Sequence, residues 1–136
     1  MLRIQLVREF NGDDVVLTVM DGDGLEALLA ASRLAVHKSL GQESALRDGD
    51  QTHHIRVSNG PARIEPGDTI VNWELPSEKL KELANKLSAM HEASLPCHNY
   101  LDIDEPTRTL YLSLNEYAYR DGAIRSIQPG IARQPT

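Results

Sequence analysis

Five histidines are the side chains best suited to move a proton or hold a metal near neutral pH: His37, His53, His54, His91 and His98. Their spacing argues against a shared site. A helical zinc pair needs two histidines four apart, and no two of these meet that. His53 and His54 are adjacent in a strand-like run, so their side chains point to opposite faces. His98 and Asp102 are four apart in a second such run, about 13 Å along a strand and too far for shared ligation. No metal is therefore expected. Cys97 sits beside His98, but a thiolate and its base must converge across a fold, and no glycine-bounded turn surrounds it. A buried core cysteine is the plainer reading. Asp21-Gly22-Asp23-Gly24 has the look of a calcium loop but lacks the further acidic ligands and the terminal glutamate. Asp23 as a helix cap, with Glu26 completing a capping box, is preferred. No glycine-rich phosphate loop occurs, so no nucleotide or other cofactor is expected.

The second chemical signal is a surface. Four of the six aromatic residues, Tyr100, Tyr111, Tyr117 and Tyr119, fall close together. Asp102, Asp104, Glu105 and Glu116 lie among them. Tyrosine offers rigid amphipathic area at low entropic cost. The expected partner-binding residues are Asp102, Asp104, Glu105, Glu116, Tyr117 and Tyr119. The competing reading makes Tyr100 and Tyr111 cross-strand core partners, with the acids solvating a turn.

Charge narrows the partner. The chain carries 20 acids and 14 Lys and Arg, a net of −6. Such a globule repels phosphate, so nucleic acid is disfavoured, and Arg120, Arg125 and Arg133 near the end are too sparse to reverse that. A basic protein is the favoured partner. Mild acidity also has the ordinary role of keeping a protein soluble. The single cysteine excludes an intramolecular disulfide. No apolar run is long enough to span a membrane. Met1 to Phe10 carries Arg3, Arg8 and Glu9 and lacks a signal peptide's apolar stretch, so a cytoplasmic location is expected.

These residues need elements to position them. Leu2, Ile4 and Leu6 alternate with polar residues, Asn11-Gly12 turns, and Val15 to Val19 returns, which predicts a hairpin over 2–9 and 14–20. Leu25, Leu28, Leu29, Ser32, Val36 and Leu40 mark one face of a helix over 24–40. The polar stretch 42–52 reads as a surface loop. Strands are expected at 53–58 and 69–75, joined by a return strand at 61–64 into an antiparallel meander. Leu80, Leu83, Ala84, Leu87 and Met90 predict a second helix over 77–92. A hairpin follows over 98–103 and 108–114.

The expected fold class is α+β: a two-layer sandwich, with a largely antiparallel sheet and two helices packed on one face. The chain divides into a single domain over 1–119 and a flexible tail over 120–136. Matching residue 16 with residue 71 aligns Val16 with Val71, Leu25 with Leu80 and Leu28 with Leu83. This suggests a strand-helix-strand-strand duplication over 14–65 and 69–114, although any two strand-helix units match in this way.

The run His98-Asn99-Tyr100-Leu101-Asp102, a turn, and then Leu112-Ser113-Leu114-Asn115-Glu116-Tyr117 resembles a pattern in small uncharacterised bacterial proteins of the polymorphic-toxin immunity type. The likeness covers residues 69–119, carries no functional residue over, and does not extend to the first 68 residues. It implies a non-enzymatic module that occludes the active site of a cognate toxin. Two alternatives stand beside it. One is a small enzyme gathering His54, His98 and nearby carboxylates in a cleft. The other is a structural or assembly protein held by edge-strand pairing. A homo-oligomer is left open.

Overall fold

The computed structural model describes residues 1–93 and 95–127. It is an α+β fold of ten strands and two helices among these residues. The hairpin of β1 (Leu2–Phe10) and β2 (Asp13–Met20) forms where alternation and Asn11-Gly12 place it. Asn11 and Gly12 both take positive φ, the conformation a two-residue turn demands. Helix α1 (Gly22–Val36) follows. Its cap is Asp21, not Asp23: the Asp21 carboxylate accepts from the Gly24 amide at 2.9 Å. The helix stops at Val36, short of the expected residue 40, and Leu40 is exposed. Then come β3 (Glu43–Asp48), β4 (Gln51–Ser58), β5 (Arg63–Pro66) and β6 (Ile70–Pro76). Helix α2 (Ser77–Ala93) buries all five residues of its expected stripe. The chain continues through β7 (Cys97–Asp102), β8 (Thr109–Leu114), β9 (Tyr117–Arg120) and β10 (Ala123–Ser126).

The strands form two four-stranded sheets, ordered β1-β2-β8-β7 and β3-β4-β6-β5, and a β9-β10 ribbon. Most pairings are antiparallel, but each large sheet has a parallel pair at its centre, β2 with β8 and β4 with β6. Strands β4, β5 and β6 are thus no meander. After β4 the chain crosses to the sheet edge as β5 and returns as β6 beside β4. The expected 42–52 loop contains β3, whose Ser44 and Leu46 turn inward while Ala45 and Arg47 face water. Within the expected tail, Ala123–Ser126 pairs with β9. Residues 128–136 of that tail, Arg133 included, lie outside the described residues.

The chain runs β-β-α-β-β twice, and each run gives one hairpin to each sheet. The topological repeat therefore starts one strand earlier than the residue matches place it. By position, β4 corresponds to β8 rather than to the His98 strand. Both helices pack on one face, and a single core joins Leu2, Ile4 and Val16 with Ile55, Trp73, Leu80 and Leu112. No helix among the described residues is long and apolar enough to cross a membrane.

The two sheets are joined at equivalent ends. At one, the buried Gln51 amide reaches across from β4 to β1. Its oxygen accepts from the Ile4 amide at 3.0 Å, and its nitrogen donates to the carbonyls of Ile4 at 3.1 Å and Gly67 at 3.0 Å. Asp48 accepts from the Leu2 amide at 3.1 Å. At the other end Asp104 accepts from the Ala62 amide at 2.7 Å, and the Ile64 amide donates to the Glu105 carbonyl at 3.0 Å. Replacing Gln51 with Ala should strand buried backbone groups and cost about 2–4 kcal/mol in a urea titration. Gln51→Glu should cost a similar amount, because a carboxylate accepts from Ile4 but cannot donate to either carbonyl. A loss below about 0.5 kcal/mol in both variants would show that water replaces the amide at this junction.

Candidate functional site

The six expected partner-binding residues fall into three environments. Asp102 ends β7, and Asp104 and Glu105 follow on the β7–β8 loop; all three are exposed. Asp104 also holds the Ala62 amide, and Glu105 pairs with the Arg63 guanidinium at 2.7 Å. Tyr119 is half-buried, with the Arg3 guanidinium carbon 4.4 Å from its ring centroid. Glu116 and Tyr117 are not surface residues: they are 3% and 5% exposed. The reason is tertiary. The ribbon of β9 and β10 folds back over the face of the first sheet that the helices leave open. There Tyr117 and Ile124 join Val15, Leu17, Val19 and Tyr111 in a second apolar cluster.

Glu116 is the charge inside that cluster. One oxygen accepts from the Ser113 hydroxyl at 2.7 Å, and the other lies 3.0 Å from His98 Nδ1. The His98 ring stacks on Tyr111 and meets Tyr100 edge-on. Burial first, and the Glu116 charge second, raise the pKa of the Cys97 thiol and of the Tyr100 and Tyr111 hydroxyls, and push Tyr117 up to about 12. Serine, histidine and a carboxylate thus meet, but in the wrong order for acyl transfer. A triad places histidine between the serine and the acid, so that it can take the hydroxyl proton. Here the acid is in the middle and the Ser113 hydroxyl already donates to it. Ser113 is also fully buried. The group is built to satisfy a buried carboxylate. A thiol whose pKa is raised is likewise a poor nucleophile.

His54 and His98, the pair that an enzyme would have to gather, lie on different sheets. His54 points from the outer face of the second sheet, where Nδ1 lies 2.7 Å from Glu43. Arg56 donates to the same carboxylate at 2.9 Å, and Arg56 first and His54 second hold the Glu43 pKa below its ordinary value. His53, on the opposite face, is fully buried and accepts from Trp73 Nε1 at 3.2 Å. His91 pairs with Glu26 on the helices at 3.2 Å. Among the described residues no three His, Cys, Asp or Glu side chains gather as a metal site.

Sequence reasoning overlooked the outer face of the second sheet. Glu43, His54, Arg56, Glu65, Asn72 and Glu74 line a shallow depression of about 240 Å³ there, and Arg63 bridges Glu74 and Glu105 beside it. The alternation of Thr52, His54 and Arg56 with buried His53, Ile55 and Val57 was the available signal. Neither a family model, nor a curated protein, nor a solved structure matches the chain.

Two consequences are measurable. Tyr117→Ala should cost about 3–5 kcal/mol, as for truncating a core aromatic, while Tyr119→Ala should cost about 1 kcal/mol. Equal small losses in a denaturant titration would put Tyr117 at the surface. Burial lowers the His53 pKa to about 4, from an ordinary 6.5. As pH falls between these values, the unfolded chain takes up a proton that the folded chain refuses. Its contribution is complete above pH 6.5 and falls by about 3 kcal/mol on reaching pH 4. The His53→Gln variant should show a flatter stability profile across that window. Parallel profiles, or an imidazole that titrates near 6.5 by NMR, would contradict the assignment.

Proposed function

We propose that this chain is a non-enzymatic protein-binding module of the toxin-immunity type, which covers a basic active site on its partner. The observation that carries the reading is the contrast between the two sheets. The first sheet has both faces packed, one by the helices and one by the β9-β10 ribbon. The second has one face packed and, among the described residues, leaves the other open to solvent. That open face, with the adjoining loop, holds Glu43, Glu65, Glu74 and Glu105 with Arg47, Arg56 and Arg63, four acids to three bases. Asp104 lies on the same loop as Glu105, and Asp102 ends β7 beside it. A rigid sheet face with an acid excess suits steering toward a cationic surface and then excluding substrate from it. The separation of His54 from His98 and the acid-centred arrangement at Glu116 weigh against the enzyme alternative.

The test is co-expression with a protein encoded by a neighbouring gene, and the reading requires one that is toxic. Growth arrest by that protein alone, relief on co-expression and a stable complex on gel filtration are the expected results. No complex, or arrest unrelieved, would overturn the reading. Within a complex, the combined Asp102→Asn, Asp104→Asn and Glu105→Gln variant should slow association about three- to tenfold at low salt and flatten its salt dependence, with a smaller change in dissociation. The amides keep an acceptor for Ala62, so the fold should be retained.

A further inference from the structure

Strand β1 is a sheet edge, and its outward backbone groups are only partly used. In an antiparallel strand the amide and carbonyl of alternate residues point the same way. Leu2 and Ile4 point away from β2, because Asp48 and Gln51 take their amides. Leu6 is next in that phase, and its outward amide and carbonyl have no partner among the described residues. The neighbouring strand does not close the gap. Pro66 of β5 lies there and has no amide to give. Beyond Leu6 the edge ends, where the β1–β2 register shifts between Val7 and Phe10 and Glu9 takes positive φ.

A groove of about 920 Å³ opens at this point between β1 and β5. Leu6, Ile70 and Pro106 supply its apolar surface, and Glu65 and Glu105 its carboxylates, with the fully buried Ile64 beneath. Ile70 is 51% exposed, an unusual position for an isoleucine in a strand. Arg63 also lines the groove: it pairs with Glu105 and interacts more weakly with Glu65, which makes no close ion pair among the described residues.

We infer that this groove is a strand-docking site, which takes an extended cationic segment of the partner as an added strand on β1. The inference rests on the binding reading above and says which surface does the binding. An added strand would exchange hydrogen bonds with the Leu6 amide and carbonyl. Its alternate side chains would set an apolar residue against Leu6 and Ile70 and a lysine or arginine against Glu65. Backbone pairing supplies affinity in such additions, and alternate side chains supply selectivity.

The experiment uses the whole chain and a short synthetic peptide alternating lysine with valine, labelled for fluorescence anisotropy. Two control peptides replace lysine with glutamate, or N-methylate alternate backbone amides. Saturable binding of the lysine peptide is expected, with at least about tenfold weaker binding of both controls. Glu65→Lys and Ile70→Ser, both changes at exposed positions, should each weaken it about tenfold while leaving the melting temperature nearly unchanged. Hydrogen exchange at the Leu6 amide should slow about tenfold or more on binding. Absence of saturable binding would overturn the inference. So would binding that is indifferent to N-methylation and to both variants, which would mean that general charge attraction suffices. A chain that refuses the peptide yet neutralises its toxin loses the groove and keeps the immunity reading. A chain that takes the peptide and neutralises nothing keeps the groove and loses that reading.

Discussion

The buried amide of Gln51 is the contact on which the architecture turns. Edge strand β1 belongs to one sheet and β4 to the other, so neither can satisfy its neighbour by a regular ladder. Gln51 has the right chemistry for this gap, since one end accepts and the other donates. It meets both polar groups of Ile4 and one of Gly67. No hydroxyl, carboxylate or ammonium could do the same alone. The other junction solves the equivalent problem with Asp104 and a backbone pair from Ile64 to Glu105. With both junctions closed, the sheets are held around one core and the helices need cover only a single face.

That arrangement leaves two outer faces, and the chain treats them differently. On the first sheet, Val15, Leu17, Val19 and Tyr111 make an apolar outer surface that water would penalise, and the β9-β10 ribbon seals it. The cost of sealing is a buried carboxylate, Glu116, which Ser113 and His98 satisfy. On the second sheet the corresponding positions are mostly polar or charged, and among the described residues no ribbon covers them. The difference follows from side-chain chemistry: an apolar face recruits a cover, and an ionic one is stable in water.

The functional proposal draws on this asymmetry rather than on a catalytic constellation. The chemistry-bearing residues of the chain are mostly spent on structure. His53 accepts from Trp73, His98 serves Glu116, and Asp104 ties β5 to the β7–β8 loop. Among the acids that face water, Glu65 on the second sheet's outer face and Glu105 on the loop beside it line the groove where β1 runs out of internal partners.

Local pattern alone determined much of this. Alternation and Asn11-Gly12 specify the first hairpin, and a residue period near 3.6 specifies both helices with the whole buried stripe of α2. The adjacency of His53 and His54 already places one inside and the other outside. The α+β class follows from the same patterns. Three things were beyond local reading. Strand β3 has too few apolar residues to announce itself, because only Ser44 and Leu46 turn inward. The parallel pairing of β4 with β6 depends on a crossover, and nothing in Asn59-Gly60 or Pro66-Gly67 distinguishes a crossover from a meander. Glu116 and Tyr117 read as a binding surface because acid and tyrosine are ordinary at surfaces. Only the return of β9 and β10 over Val15, Leu17 and Val19 of β2 buries these two. Sequence determines which side of its own strand or helix a residue takes, since that depends on neighbours a few positions away. What covers that side depends on chain arriving from elsewhere, and tertiary structure alone decides it.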